Sequence, residues 1–400
     1  MNILYVTSGN IFSTSSSNLR NVSLIQGLIE IGHKVDVWSL EIGSSGKNYD
    51  ESIKNIVSRN KVFLSSNNSL QKVFSEKKVA KENFVSKMKS KLLGVAKKMV
   101  LKYSLVDTLM PAVEKISKDE IPTEEYDIII SSSDPISSHE MALMYKKLHS
   151  KAKWIQYWGD PLYYDITRNF SNKRKAFKVE EKYLLACDVV VYTNPIVLEA
   201  QKQLFSNAAD KMHFVPTPFA FFDNSALESE SEGFDIGYFG NYLSCVRNID
   251  PLCHAVMELG KKIVIMGRGD KKPPVSEYID VYDSQSIVTV SEFEDKCKIL
   301  VCLCNDNTKK DQCLQIPGKV YHYAMTEKDI LIIGADKNTE KFLSGYSRYY
   351  FCANNVEAIK GAIKKIEKNE GKIISKPVEA FRPKNVANKV IEYLSILGIN

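Results

Sequence analysis

The chain has 400 residues, 44% of them hydrophobic, a length and composition that suit two domains with separate cores. No stretch approaches about 18 consecutive apolar residues, and the first residues lack the basic flank and apolar core of a secretion signal. We therefore expect a cytoplasmic protein without a membrane-spanning helix. The eight cysteines show no C-x-x-C or Cys/His metal spacing, so buried thiols in a reducing compartment are expected.

The net charge of +6 is concentrated in one segment, residues 72–102, which holds ten lysines against two glutamates. Its apolar residues recur every three or four positions, as on an amphipathic helix whose other face is basic. Such a helix can lie on an anionic membrane surface or pack on its own domain, and both interpretations stay open. No interleaved arginine or exposed aromatic pattern accompanies the lysines, so nucleic acid is not expected as a partner.

The first half of the chain alternates short apolar runs with helical patterns. Residues 2–7 form a β-branched run, a Ser/Gly/Asn-rich loop follows, and a helical period over residues 19–31 precedes a strand in GHKVDVWSL. This order is typical of a parallel β-α-β unit. Further strands are predicted at residues 61–64, 127–133, 153–157, 188–193 and 211–215. Their continuous apolar character indicates a parallel sheet covered on both faces.

The alternation stops in a stretch rich in Pro, Ser and Glu and then restarts. The fold class is therefore α/β, with two Rossmann-like doubly wound domains facing a cleft, where such domains bind ligands. Strands are predicted at 234–240, 261–269, 277–283, 298–304 and 329–335, and helices at 248–259, 355–368 and 384–397. The predicted division is an amino-terminal domain at 1–218 with a basic helical insertion at about 72–104, a linker at 219–233, a carboxy-terminal domain at 234–383, and a final helix at 384–400 that could pack back across the first domain.

Several common motifs are absent. Neither domain has G-x-G-x-x-G after its first strand, and the chain has no G-x-x-x-x-G-K-[ST], G-x-S-x-G or H-E-x-x-H. A strict D-x-D, which would hold a divalent cation on a nucleotide sugar, is also missing. No cofactor and no metal are therefore predicted, and a bound diphosphate would need cations and helix ends of the protein.

Residues 313–325, CLQIPGKVYHYAM, follow the predicted strand KILVCLC. Pro317 and Gly318 suit the first turn of a helix, where unpaired N–H groups and the positive end of the dipole face outward. Lys319 in that turn is disfavoured by the dipole unless an anion shares the site. The pattern is compatible with a phosphate site and with an ordinary strand-loop-helix turn.

The order of several segments resembles a known family. The segments MNILYVTSGN, LIQGLIEIGHKVDVWSL, WIQYWGDP, FDIGYFGNYLSCVRNIDPL and LQIPGKVYHYAMTEKDILIIGA are similar to those of bacterial glycosyltransferases of the GT-B fold, of the glycosyltransferase family 4 kind that builds surface glycans. The resemblance covers most of the chain and is weakest at roughly residues 45–125. It implies that the second domain binds a nucleotide-diphospho-sugar and the first domain binds the acceptor.

The resemblance also implies donor-binding residues in the second domain. Backbone N–H groups at 240–241 would face the diphosphate, and Arg247 and Lys319 would neutralise it. Two glutamates that contact the donor in the family correspond here to Gln315 and Tyr323, so retention or inversion stays open. The implied donor-binding set is Gly240, Asn241, Arg247, Gln315, Pro317, Gly318, Lys319 and Tyr323, with Gly267 and Arg268 near the base.

The acceptor hydroxyl must lose a proton during transfer, so a carboxylate or histidine is the natural general base if the enzyme inverts. Asp160 in WIQYWGDP matches the family position and is the first candidate, followed by Asp134 and His139. Asp134 is alternatively the cap of the following helix, and His139 alternatively lies on a helix surface. The loop expected to approach the donor phosphate or the acceptor consists of Ser8, Gly9 and Asn10.

The resemblance implies a glycosyltransferase of the hexosyltransferase type, and the missing D-x-D makes a metal-independent enzyme the expectation. It would move a sugar from a nucleotide-diphospho-sugar to a lipid-linked or growing surface glycan, at the inner face of the cell membrane, with residues 72–102 on the anionic surface. A nucleotide-sugar 2-epimerase of the same fold, which needs no acceptor, is one alternative. A non-catalytic glycosyltransferase-like binding subunit is the other.

Overall fold

The computed structural model describes residues 1–41, 49–50, 53, 57, 61–65, 107, 109–133, 135–164, 170–219, 233–244, 246–305, 316–368, 373 and 375–396. The chain divides into two compact units, of which the first comprises Met1–Val215 with Val386–Asn400 and the second comprises Pro216–Asn385. The predicted basic insertion at 72–104 and residues 220–232 of the predicted linker lie outside the described residues. None of the described helices is long and apolar enough to cross a membrane.

The first unit is built on seven parallel strands in the spatial order β3-β2-β1-β4-β5-β6-β7. Most residues of these strands are buried, as their continuous apolar runs predicted. The parallel sheet is thus confirmed, and the strand predicted at 61–64 lies one residue later. The bounds are β1 Asn2–Thr7, β2 Lys34–Leu40, β3 Val62–Ser65, β4 Ile128–Ser132, β5 Lys153–Trp158, β6 Val189–Tyr192 and β7 Met212–Phe214.

Helices connect these strands, and local sequence sets where two of them begin. The Ser15 side chain accepts a hydrogen bond from the amide of Asn18 at the start of α1. Asn194 caps α5 in the same way, and Pro195 occupies the first helical position, where its missing N–H costs nothing. The helices are α1 Ser16–Glu30, α2 Met110–Val113, α3 Ser137–Leu148, α4 Phe170–Ala186 and α5 Pro195–Leu204.

The second unit has six parallel strands in the order β10-β9-β8-β11-β12-β13. The predicted strands are all present, whereas the edge strand β13 was not predicted. The strands are β8 Phe234–Phe239, β9 Ile263–Met266, β10 Ile279–Tyr282, β11 Cys297–Leu303, β12 Asp329–Ile333 and β13 Tyr350–Cys352. The helices are α6 Asp250–Leu259, α7 Ile287–Asp295, α8 Lys319–Tyr323, α9 Lys337–Ser344 and α10 Val356–Glu367.

The second sheet buries an apolar layer on each face. Alternate residues of β11 belong to different layers: Ile299 and Val301 pack with α6 and α10, while Leu300 and Cys302 pack with α8. Because both faces are covered, only the ends of the strands lead to solvent. The loops at the carboxyl ends are therefore the natural position for a binding site.

The helix predicted at 384–397 forms as α11, Pro383–Ile396. The hydroxyl of Tyr393 donates to the carbonyl oxygen of Phe214 at 2.9 Å, and its ring stacks on His213 with centroids 4.1 Å apart. These contacts explain why residues 386–400 group with the first unit although the second unit precedes them in the chain.

Candidate functional site

In both sheets the strand order reverses beside the first strand, so that β1 lies next to β4 and β8 lies next to β11. Connections from two such strands diverge to opposite faces and leave a crevice outside their carboxyl ends, where doubly wound proteins bind ligands. In the second unit Gly240 and Asn241 follow β8, and Cys304 and Asn305 follow β11. The strand order alone therefore predicts a binding site at these loops.

Arg247 joins the two loops of this crevice in the second unit. Its Nε donates to Oδ1 of Asn305 at 2.8 Å, so a residue of the segment after β8 is held against a residue directly after β11. Arg247 makes no ion pair with any described residue. Since the hydrogen bond to Asn305 is with a neutral amide, the positive charge of Arg247 is left for another group.

Lys319 begins α8 and is the second cation of this crevice. A Cβ built at Gly240 would lie 3.5 Å from Cε of Lys319, and Nζ is 5.3 Å from the ring centroid of Tyr323. Burial lowers the pKa of Lys319, and the charge of Arg247 lowers it further, against the opposing effects of Glu294 and Cys302. No described residue forms an ion pair with Lys319, so a bound anion would stabilise its charged form.

The loop after β8 differs from the predicted diphosphate cradle in one respect. The amide of Gly240 donates to the carbonyl oxygen of Met266 at 2.8 Å and is thus used in the sheet, which corrects the expectation that it faces a phosphate. Asn241 accepts from the amide of Arg268 through Oδ1 at 3.0 Å, and its own amide has no partner among the described residues. Only the amide of Asn241 therefore remains for a ligand at this position.

Gly267 is required by packing rather than by a ligand. Its φ is +155°, and a Cβ there would overlap the carbonyl oxygen of Gly240. Arg268, predicted near the base, has a side chain 55% exposed, and its Nε lies 3.8 Å from Asp283. The structure therefore gives Gly267 a structural role and leaves the Arg268 side chain largely in solvent.

The remaining donor predictions concern residues within α8 and just before it. Tyr323 is fully buried and its hydroxyl has no partner among the described residues, so a ribose could not reach it without rearrangement; this argues against the predicted donor contact. Pro317 and Gly318 do precede the helix, but the amide of Val320 already donates to the carbonyl oxygen of Pro317 at 3.0 Å. Gln315 lies outside the described residues. The charge of Lys319, more than the five-residue helix, makes this position attractive to an anion.

A buried acid beneath these residues was missed by the sequence reasoning. Glu294 is 3% exposed, its Oε2 lies 3.1 Å from Nε2 of His322, and its Oε1 has no partner among the described residues. The ring of Phe219 stacks on His322 with centroids 4.0 Å apart. Burial would raise the pKa of Glu294, but the charges of His322 and Lys319 outweigh it and hold the pKa below its ordinary 4.5. In the sequence, SEFEDK reads as a solvated acidic turn, and only tertiary packing buries this residue.

A Glu294→Gln variant is expected to lose stability mainly at neutral pH. Because the folded pKa of Glu294 lies below the unfolded value, its contribution is present above about pH 4.5 and is lost as pH falls through the folded pKa. Urea unfolding of wild type and variant at several pH values should show a difference that shrinks on acidification. Glu277→Gln, at an exposed position of the same unit, should show no such trend. A wild-type advantage that does not change with pH would contradict this account.

In the first unit the loop after β1 is fixed by internal hydrogen bonds. The amide of Ser8 donates to Oγ of Ser138 at 2.9 Å, and the Ser8 hydroxyl lies 2.7 Å from Oγ of Ser137. The Asn10 side chain accepts from the amide two residues later at 3.0 Å. Gly9 and Asn10 are partly exposed, whereas Ser8 is buried. Of the predicted loop, these two residues remain open to a ligand.

The three candidate bases have different environments. His139 is fully buried on α3, its Nδ1 lies 2.7 Å from Oγ of Ser131, and burial lowers its pKa to about 3. It is therefore not on the helix surface, and an acceptor hydroxyl does not reach it in this structure. Asp160 is exposed just after β5, and Asp134 lies outside the described residues. Among the described residues, no group of three or more His, Cys, Asp or Glu side chains is placed to hold a metal ion.

No protein-family model and no curated protein matches this sequence. Solved structures do match. Sucrose-phosphate synthase from Thermosynechococcus elongatus has a TM-score of 0.61 at 10% identity, covering 100% of this chain and 99% of that one. Anabaena HepE in complex with UDP-glucose has a TM-score of 0.58 at 11% identity, covering 99% of this chain and 100% of that one. The chain has the GT-B fold.

A candidate UDP-N-acetylglucosamine 2-epimerase from Listeria monocytogenes is also similar, with a TM-score of 0.55 at 9% identity over 100% of this chain and 97% of that one. Transferases and epimerases thus share this fold, so the fold alone does not distinguish the two activities. The activity has to be argued from the residues.

Proposed function

We propose that this chain is a glycosyltransferase whose second unit binds a nucleotide-diphospho-sugar. The observation that carries the proposal is the pair of cations Arg247 and Lys319 at the strand reversal of the second sheet, neither of them ion-paired within the described residues. Two such cations suit the charge that develops on a departing nucleoside diphosphate. The likeness of the fold to that of HepE, solved with UDP-glucose, supports a nucleotide sugar as the donor.

In the proposed reaction the bond between the sugar carbon and the phosphate oxygen breaks, and the nucleoside diphosphate leaves with the bonding electrons. Arg247, Lys319 and the amide of Asn241 stabilise the negative charge on the leaving group, without a metal ion. An acceptor hydroxyl forms the new bond and gives up its proton. Asp160 is the candidate base if configuration inverts, because it is exposed and follows a strand at its carboxyl end.

The function is tested by incubating the purified full chain with a panel of nucleotide sugars, with and without membrane lipid extract. A transferase acting on a lipid-linked glycan should release nucleoside diphosphate only when the extract is present. Isomerised sugar without an acceptor would instead establish the 2-epimerase. Nucleotide-sugar binding with neither product would establish a binding subunit, an alternative favoured by the absence of an acidic side chain at Tyr323.

The proposed acceptor is lipid-linked or a growing surface glycan, and the proposed location is the inner face of the cell membrane. The lysines of residues 72–102 would hold the protein there, at about 1 kcal/mol for each lysine near the surface.

Replacing four of these lysines, Lys87, Lys89, Lys91 and Lys98, by Gln should reduce sedimentation with vesicles that contain anionic lipid. The control removes equal charge at four exposed positions elsewhere, Lys147, Lys151, Lys271 and Lys272. Equal sedimentation of the two variants would exclude this segment as the membrane contact.

A further inference from the structure

Arg20 is a cation buried in the first unit without a counter-ion. It lies in the second turn of α1 and is 9% exposed. One Nη atom donates to the carbonyl oxygen of Ser133, and Cζ lies 5.3 Å from the ring centroid of Tyr157. No described carboxylate forms an ion pair with it, and its Nε is buried without a partner among the described residues.

This arrangement is costly if its role is only structural. Removing a charged group from water is unfavourable even after relaxation, and arginine carries five N–H donors, of which one is used here. The two residues that contact the guanidinium add to the imbalance, because the hydroxyls of Ser133 and Tyr157 are also buried with no partner among the described residues. The guanidinium therefore keeps N–H donors and a positive charge that an oxyanion could satisfy.

The position agrees with a ligand. Ser133 directly follows β4, and Tyr157 is the last residue but one of β5, so the guanidinium is at the carboxyl end of the first sheet. A Cβ at Gly159 would overlap Nη1 of Arg20, so the glycine leaves room for the guanidinium just before the exposed Asp160. The side chain of Arg20 therefore reaches from α1 to the edge where the candidate base is found.

Arg348 in the second unit is also buried with no ion pair among the described residues, and it differs from Arg20 in its position. It is 1% exposed, one Nη atom donates to the carbonyl oxygens of Thr326 at 2.8 Å and of Lys328, and its Nε and other Nη atom have no partner among the described residues. These carbonyls follow the end of α8 and precede β12, where a cation stabilises free carbonyl groups. Arg348 thus lies at the amino end of its strand, away from the edge that binds ligands.

We propose that Arg20 binds a phosphate group of the acceptor. The guanidinium fork matches phosphate oxygens, and Arg20 keeps a small exposed fraction, whereas Ser133 and Tyr157 are fully buried and hold the guanidinium in place. The inference rests on the proposed function and narrows the acceptor to compounds that carry a phosphate or diphosphate. It concerns the first unit, whereas the donor diphosphate is assigned to the second.

The test measures binding of three probes to the full chain by calorimetry, with the donor site saturated by UDP: inorganic phosphate, farnesyl diphosphate and uncharged farnesol. Farnesyl diphosphate should bind, Arg20→Met should weaken it at least about tenfold, and Arg20→Lys should restore part of the loss. If inorganic phosphate displaces farnesyl diphosphate, the phosphate group alone is recognised. If inorganic phosphate does not displace it, recognition requires the lipid as well. Both outcomes support the assignment. Equal binding of farnesol, or unchanged affinity in Arg20→Met, would overturn it.

Thermal unfolding separates this role from a structural one. Replacing an unpaired buried cation by an apolar side chain of similar length should leave the melting temperature of Arg20→Met unchanged or higher. Arg348→Met, which removes two hydrogen bonds to carbonyls, should melt at a lower temperature and keep its affinity for farnesyl diphosphate. A lower melting temperature of Arg20→Met with unaltered probe binding would make Arg20 structural. If the wild type does not bind UDP, that result would instead count against the proposed function itself.

Discussion

A Lys319→Met variant is expected to bind a nucleoside diphosphate at least about tenfold more weakly than the wild type, because a charge-assisted hydrogen bond contributes roughly 1.5 to 3 kcal/mol. Methionine keeps most of the apolar stem beside Gly240 and removes only the charge. Since burial and Arg247 already lower the pKa of Lys319, loss of its charge should not destabilise the fold. The effect should therefore appear in ligand affinity and not in stability.

The measurement is calorimetry with UDP, GDP and ADP, which also determines the base preference. Lys271→Met, at an exposed position in the same unit, removes the same net charge and should bind like the wild type. Wild-type affinity should fall as the pH rises through the lowered pKa of Lys319, because only the ammonium form pairs with phosphate. If Lys319→Met binds within twofold of the wild type, Lys319 is not a donor cation.

The sheets could be predicted from sequence because their strands are apolar along their whole length. Runs such as DIIISSS and KILVCLC have a simple explanation only as strands buried on both faces, and their alternation with helical periods requires parallel pairing. The edge strand β13 was missed because three residues, YFC, are too few to show a period. A short edge strand is defined by its hydrogen bonds to the neighbouring strand. The pattern of its own residues does not show that pairing.

The candidate site was predictable in position but not in detail. Residues that follow adjacent parallel strands meet at one edge, so Lys319, which follows β11, was expected near Gly240 and Arg247, which follow β8. Lys319 and Tyr323 are four residues apart on one helix and are neighbours, yet spacing could not tell that the tyrosine is fully buried. His139 was misjudged for the same reason, since burial depends on packing from distant segments. Arg20, in contrast, looks in sequence like any helical surface arginine.

Gly267→Ala is expected to destabilise the second unit by roughly 3 kcal/mol, combining an unfavourable positive φ with overlap between two backbone segments. The φ of Gly267 is +155°, and its added Cβ would meet the carbonyl oxygen of Gly240, which cannot move without breaking the bond from the Gly240 amide to Met266. Because the same segment lies beside Lys319, affinity for a nucleoside diphosphate should also fall, although the substituted residue is assigned no ligand contact.

Urea unfolding distinguishes destabilisation of the second unit alone from a loss of stability in both units. The three tryptophans, Trp38, Trp154 and Trp158, belong to the first unit, so tryptophan fluorescence reports that unit while circular dichroism reports both. Gly267→Ala should shift part of the dichroism transition to lower urea and leave the fluorescence midpoint in place. The matched control is Gly361→Ala in α10, where nothing lies within 4 Å of the added Cβ, and it should stabilise by about 0.5 to 1 kcal/mol. Coincident transitions for Gly267→Ala and wild type would mean that the two segments separate at little cost, and that the position of the Gly240 loop does not depend on this glycine.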